Sequence, residues 1–183
     1  MKFAKLGFKT KEGLSLAHFQ DGWSMEYGKG GSYQVEILLN GKKVAVALEE
    51  GNGGSIDIDF VEGINQEEVS NAVVNFLKRT NKDYGPNTMY EFCKNITTAG
   101  SCEYSSMIND LLDSYDYRKK AKSYFKKGYN LMIAIDNGYT NHYVASGNPS
   151  KENLLNYAKS KNLIHKDSKL TYFEPTDDLT QDL

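Results

Sequence analysis

The stretch from Tyr33 to Phe60, YQVEILLNGKKVAVALEEGNGGSIDIDF, sets its own strand register and so constrains the fold more than any other part of the chain. Asn40-Gly41 is a strong hairpin signal, because a type I′ turn needs positive φ at both central residues. A two-residue loop there pairs Ile37 with Val44, Val35 with Val46 and Tyr33 with Leu48. Each pair is apolar on both strands, so one face belongs to a core. The opposite face receives Gln34, Glu36, Ala45 and Ala47, with Glu49 at its end. The same parity in Ile56-Asp57-Ile58-Asp59-Phe60 turns Ile56, Ile58 and Phe60 inward and both aspartates to water.

The remaining pattern predicts an α+β fold in which strands and helices come in runs rather than in strict alternation. Residues 2–9 and 14–19 form an N-terminal β-hairpin turning at Lys11-Glu12-Gly13, with Leu14, Leu16 and His18 sharing a face of the return strand. An isolated hairpin is marginal in water, so it must dock on the body or on a partner. Strands at about 33–39, 42–49 and 55–61 make an antiparallel meander, with a sharp turn at Gly51-Asn52-Gly53-Gly54. Asn65 with Glu68 has capping-box spacing, and Val69, Ala72, Val73, Phe76 and Leu77 continue as a helical stripe. Gly85-Pro86 breaks the chain. A short helix near 88–96 follows, then a longer one at about 103–126. A second hairpin turns at Asn137-Gly138 and pairs Ile133 with His142, Leu131 with Val144 and Met132 with Tyr143. Both its faces are largely apolar, which places it centrally in a sheet. Ser150 caps a helix running to about Asn162, and a strand at 169–174 closes the domain. Three to four helices thus pack the meander, the second hairpin and the C-terminal strand. The organisation reads as a hairpin arm at 1–22, a glycine-rich linker at 23–32 holding Trp23 and Tyr27, a body at 33–176 and an acidic, disordered tail at 177–183.

Composition excludes several classes. At 183 residues, 39% hydrophobic and 25% charged, the chain suits one globular domain, with or without an appendage. No apolar run approaches a membrane span, and the N-terminus lacks the apolar core of a signal peptide. Cys93 and Cys102 have no histidine close in sequence, against a zinc site and for two reduced thiols in a cytoplasmic protein.

Three groups of residues carry candidate chemistry. The first is the acidic sheet face, Glu36, Glu49, Asp57 and Asp59, with Glu50 at the glycine loop. Asp57 and Asp59 point the same way on one strand, so they suit a Mg²⁺ ion, or one of them a general base, as in nucleases. The same pattern also describes the solvated side of a one-sided antiparallel sheet. The second is histidine. His142 lies by parity with Leu131, Ile133 and Val144, where it is either an acid/base group or a satisfied core residue. The third is basic. Lys2, Lys5, Lys9 and Lys11 all precede the first acid, and Arg118, Lys119, Lys122 and Lys126 lie in a basic-aromatic helical run with Tyr117, Tyr124 and Phe125. A net charge of −2 with the bases segregated this way favours a polyanion partner more than net charge alone would. The other reading is a solvated helix face whose aromatics turn inward.

LNGKKVAVALEEGNGGSIDIDF, and more loosely KKGYNLMIAIDNG at 126–138, resembles segments of small accessory proteins from bacteriophages and other mobile elements. A basic hairpin ahead of an α+β body is similar to anti-CRISPR inhibitors of type II effector nucleases. That resemblance implies action in the host bacterial cytoplasm, with the effector and its guide RNA as partners. It implies inhibition by binding or cleaving the guide, as a ribonuclease with Mg²⁺ in the latter case and with no cofactor otherwise. It carries over no catalytic residue. The alternative is a non-enzymatic accessory protein that binds a host factor or sequesters a small signalling nucleotide.

Overall fold

Two-residue turns, helix caps and the switch between strand and helix periods divide the chain into eight strands and three long helices among the described residues. The computed structural model describes residues 2–23, 30–51, 55–80, 95–136, 139–145, 150–164 and 168–179. The turn at Asn52-Gly53-Gly54, the Gly85-Pro86 break, nearly all of the helix expected near 88–96, Tyr27, Cys93 and His165 lie outside them. The fold is α+β. The chain divides into two compact units, one holding residues 1–82 and 87–113 and the other chiefly 114–179.

The first unit holds a five-stranded antiparallel sheet in the order β1-β2-β3-β4-β5. The strands are β1 (Lys2–Lys5), β2 (Leu14–Trp23), β3 (Gly30–Leu39), β4 (Lys42–Glu49) and β5 (Asp57–Phe60). β2 pairs with β3 from Leu14 opposite Leu39 to Trp23 opposite Gly30, so the first hairpin docks on the meander as two further strands. Leu6, Phe8, Leu14 and Leu16 are buried in consequence. At roughly 1.5–3 kcal/mol for each large side chain taken from water, these four are a substantial part of this unit's core.

The Asn40-Gly41 turn forms as the sequence requires, with Asn40 at φ +53°, Gly41 at φ +82° and Leu39 opposite Lys42. The register beyond it does not. A bulge follows the Leu38–Lys43 pair, and from there Ile37 faces Ala45, Val35 faces Ala47 and Tyr33 faces Glu49. One extra residue on β4 reverses the side on which every later side chain falls. Val44, Leu38 and Leu39 are thereby all buried, which strict alternation forbids, and Ala45 and Ala47 turn inward. Leu48, expected inside, is exposed. β5 follows the shifted β4, with Ala45 opposite Phe60 and Ala47 opposite Ile58. Ile56 is therefore buried, Ile58 and Phe60 are partly so, and Asp57 and Asp59 are exposed, as the sequence predicts.

A second bulge lies between Ala17 and Gln20 on β2. It holds His18 at φ +49° and removes it from the buried side shared by Leu14 and Leu16. Helix α1 (Gln66–Thr80) starts where Asn65 Oδ1 accepts the backbone N–H groups of Glu67 and Glu68. It buries Val69, Val73, Phe76 and Leu77. Helix α2 (Ser101–Phe125) buries Tyr104, Met107, Ile108 and Leu111 in its first half, within this unit.

In the second unit β6 (Asn130–Asp136) lies between β7 (Tyr139–Ala145) and β8 (Lys169–Phe173). The expected pairs Ile133–His142, Leu131–Val144 and Met132–Tyr143 are all present. Asn137 and Gly138 lie outside the described residues, but Asp136 opposite Tyr139 leaves two residues for the connection. Both faces of β6 are covered, which explains its unbroken apolar run. Leu131 and Ile133 pack with Tyr117, Ala121, Phe173 and Leu179. Met132 and Ala134 pack with Leu154 and Ala158 of α3 (Lys151–Ser160), whose cap is Ser150 accepting from the Asn153 N–H. The described end of the chain, residues 177–179, is held in place. Asp177 Oδ2 accepts the Glu174 N–H, and Leu179 is buried.

Candidate functional site

The carboxylates do not gather as the sequence suggested. Asp57 and Asp59 share the water-facing side of edge strand β5, where Asp59 lies opposite Val46 and Asp57 opposite Leu48. Glu36 faces the same way but lies two strands off, about 10 Å at ordinary strand spacing. It is also occupied. Its Oε2 lies 2.7 Å from His18 Nδ1, and its Oε1 accepts from Lys43 Nζ at 2.7 Å. The Lys43 and His18 hydrogen bonds hold the Glu36 carboxyl below the usual carboxylate range. Glu49 is placed by the bulge on the other face, opposite Tyr33. Burial, and secondarily the Glu49 charge, push the Tyr33 hydroxyl up. Glu50 is exposed just beyond β4. Among the described residues no three His, Cys, Asp or Glu side chains stand close enough to hold a metal ion. Mg²⁺ at Asp57 and Asp59 would therefore draw its remaining ligands from water or phosphate, as Mg²⁺ sites commonly do. His142 lies on β7 in the second unit, and its side chain is outside the described set.

The basic helical run needs one correction. Arg118 is buried, and its Nη1 donates to the Leu179 carbonyl at 2.7 Å, so it holds the C-terminal segment rather than facing a partner. Tyr117 is buried, and Tyr124 and Phe125 are partly buried against the same cluster, leaving no aromatic rank for base stacking. Lys119 and Lys122 are exposed on α2, and Lys126 is exposed in the turn after it.

The first hairpin is where positive charge acquires a shape. Lys5, Lys9 and Lys11 are exposed, while the Lys2 side chain is outside the described set. Thr10 is buried, its N–H donates to the Leu14 carbonyl, and its Oγ1 accepts the Leu14 N–H. Ser15 Oγ donates to the Phe8 carbonyl. These bonds hold residues 6–10 along β2 although they form no strand of their own. Beside them runs an open groove of about 360 Å³ flanked by Lys5 and Lys9 and bounded by Gly7 and Gly41. No atom lies within 4 Å of where a Cβ on either glycine would sit. The Asn40 N–H donates to the Gly13 carbonyl, and this sets the second turn, which exposed Lys42 follows, beside the turn of the first hairpin. Lys42 escaped the sequence reading. The NGKK turn was legible, but its docking on Gly13 is a long-range contact.

A second concavity, of about 520 Å³, lies in the first unit beside β5 and the starts of α1 and α2. None of the described residues that line it is basic. Cys102, at the start of α2, is an exposed free thiol. Among the described residues no helix is long and apolar enough to cross a membrane. Comparison of the chain with protein-family models, curated proteins and solved structures finds no match.

Proposed function

We propose that this protein inhibits a type II CRISPR effector nuclease by binding the guide RNA through the basic edge of its first sheet. One observation carries the reading: Lys5 and Lys9 flank a groove bounded by Gly7 and by Gly41, the chain neighbour of exposed Lys42. Glycines let a phosphate approach the backbone, and lysines supply the counter-charge on both sides. The resemblance to anti-CRISPR inhibitors names the RNA, since the guide is the RNA that an effector of this kind holds and depends on for its specificity. Binding is favoured over hydrolysis, because Asp57 and Asp59 face water with β4 between them and Glu36, and among the described residues no third carboxylate joins them.

The test is target-DNA cleavage by guide-loaded effector with the protein added. Wild-type protein should suppress cleavage, and Lys5→Glu with Lys9→Glu should restore it. A gel of the guide after incubation with Mg²⁺ separates the two mechanisms. Intact guide supports binding, whereas shortened guide that is protected by Asp57→Asn with Asp59→Asn would replace it with hydrolysis. Undiminished DNA cleavage at a large excess of the protein overturns the proposal.

A further inference from the structure

The water-facing side of the first sheet carries opposite charge on its two edge strands. Directly opposed residues of an antiparallel sheet share a face, so the strand register lines up two rows across it. One row runs Lys5, Ala17, Glu36, Val46, Asp59, and the next runs from Gln20 through Gln34 and Leu48 to Asp57. Lys5 on β1 and both aspartates on β5 are exposed. Between them Gln20 and Gln34 are exposed, Val46 is partly buried, and Leu48 is 41% exposed.

We infer that this face docks on the same face of a second copy of the chain. Charge and register together name that occupant. A two-fold axis running along β3, parallel to the strands, lays β1 over β5 of the second copy and β2 over its β4. Rotation about this axis leaves position along the strands unchanged, so each row meets its own row. Lys5 then faces Asp59 of the second copy, and Asp59 faces Lys5 of the second copy. Val46 meets Ala17, and Leu48 meets Gln20. An axis across the strands would instead set β1 on β1 and β5 on β5, bringing like charges together, so the orientation is specified.

The centre of the face is compatible with this packing. Glu36 lies on the axis, but its carboxylate already holds Lys43 and His18 at 2.7 Å, so it brings no bare negative charge to its counterpart. Sheets packed face to face in the aligned manner lie about 10 Å apart, a gap that Lys5 and Asp59 together span at the rim. A polyanion on this face would meet Asp57 and Asp59, and a cationic partner would meet Lys5 and Lys43. A second copy answers both charges at once. Four strand spacings make the face only about 19 Å wide, which places the contact among small, transient interfaces.

The test is sedimentation velocity of the full chain over a concentration series reaching the millimolar range. It is done without RNA, because Lys5 also flanks the basic groove. Wild type should form a concentration-dependent dimer that added salt weakens. Lys5→Asp and Asp59→Lys, both at exposed positions, each create two like-charge pairs in the homodimer and should each weaken it at least about 10-fold. An equimolar mixture of the two variants regains both opposite-charge pairs in a heterodimer and should associate nearly as well as wild type. Mixing does not cure a folding defect, so this recovery separates charge pairing from lost structure. A monomer at every concentration, a dimer that either reversal leaves intact, or no recovery on mixing overturns the inference. None of these outcomes bears on RNA binding at the hairpin edge.

Discussion

Arg79 forks onto Glu12, with Nε donating to Oε1 at 2.8 Å and Nη2 donating to Oε2 at 2.9 Å. The pair joins the last turn of α1 to the turn of the first hairpin, sixty-seven residues earlier. A basic hairpin that the sequence sets ahead of the body is thus fastened to it by an ion pair as well as by strand pairing. Glu12 keeps only 13% of its side chain exposed. Burial pushes its carboxyl up, but the hydrogen bond and charge of Arg79, with help from Thr10 and its own backbone, hold it below the ordinary 4.5.

Arg79→Met should therefore destabilise the protein by about 1–3 kcal/mol, because it leaves a largely buried carboxylate without its charged partner. Urea unfolding at pH 7 measures this. A carboxyl whose folded pKa is depressed contributes stability that is fully present above 4.5 and is lost as pH falls through the lower folded value. The difference between wild type and the variant should accordingly shrink below pH 4.5.

Gly13 should not tolerate a side chain. Its φ is +86°, and a Cβ there would lie 2.2 Å from Asn40 Oδ1 and 2.9 Å from Asn40 Cγ. Gly41 also has positive φ but faces open space. Gly13→Ala should cost more than Gly41→Ala, roughly 2 kcal/mol against 1, since only the first adds a steric clash to backbone strain. Thermal unfolding of the two variants gives the comparison.

The bulge in β4 makes an opposed pair of expectations. Ala45 and Ala47 are fully buried against Ile37 and Val35, so Ala45→Leu should overpack the core and cost about 1–3 kcal/mol. Leu48→Ala, at an exposed position, should cost less than about 1 kcal/mol. In the register without the bulge the order would be reversed, because Leu48 would lie inside and Ala45 outside.

Glu36 offers a local titration. In wild type the Lys43 hydrogen bond is the largest cause of its lowered pKa, followed by His18. Lys43→Ala should move the Glu36 carboxyl resonance to titrate at higher pH in carbon-detected NMR. An unchanged midpoint would mean that the Lys43–Glu36 pair does not persist in solution.

Much of this fold is local and was legible for that reason. The second hairpin follows from its turn dipeptide and parity, and all three expected pairs occur because no bulge interrupts Leu131–Val144 or Ile133–His142. Asn65 and Ser150 cap their helices through bonds spanning two or three residues. The first meander shows where local signals stop deciding the structure. Its turn was specified by Asn40-Gly41, but whether Val44 is an extra residue depends on how three neighbouring apolar side chains are buried, not on the turn. The same limit applies to Arg118. A helical charge run says nothing of the Leu179 carbonyl that receives its guanidinium. The concavity beside β5 was illegible because its walls come from residues 56–60, 66–71 and 97–104.

The most direct measurement is fluorescence anisotropy of a guide-length RNA titrated with the full chain over a series of salt concentrations. Affinity should fall as salt rises, with a log–log slope of about −0.7 for each phosphate neutralised. Replacing Lys5, Lys9 and Lys42 together by glutamine should reduce that slope by about 2, while Asp57→Asn with Asp59→Asn should leave it unchanged. No RNA binding at low salt, or the same slope in the lysine variant, would contradict the role assigned to the basic edge.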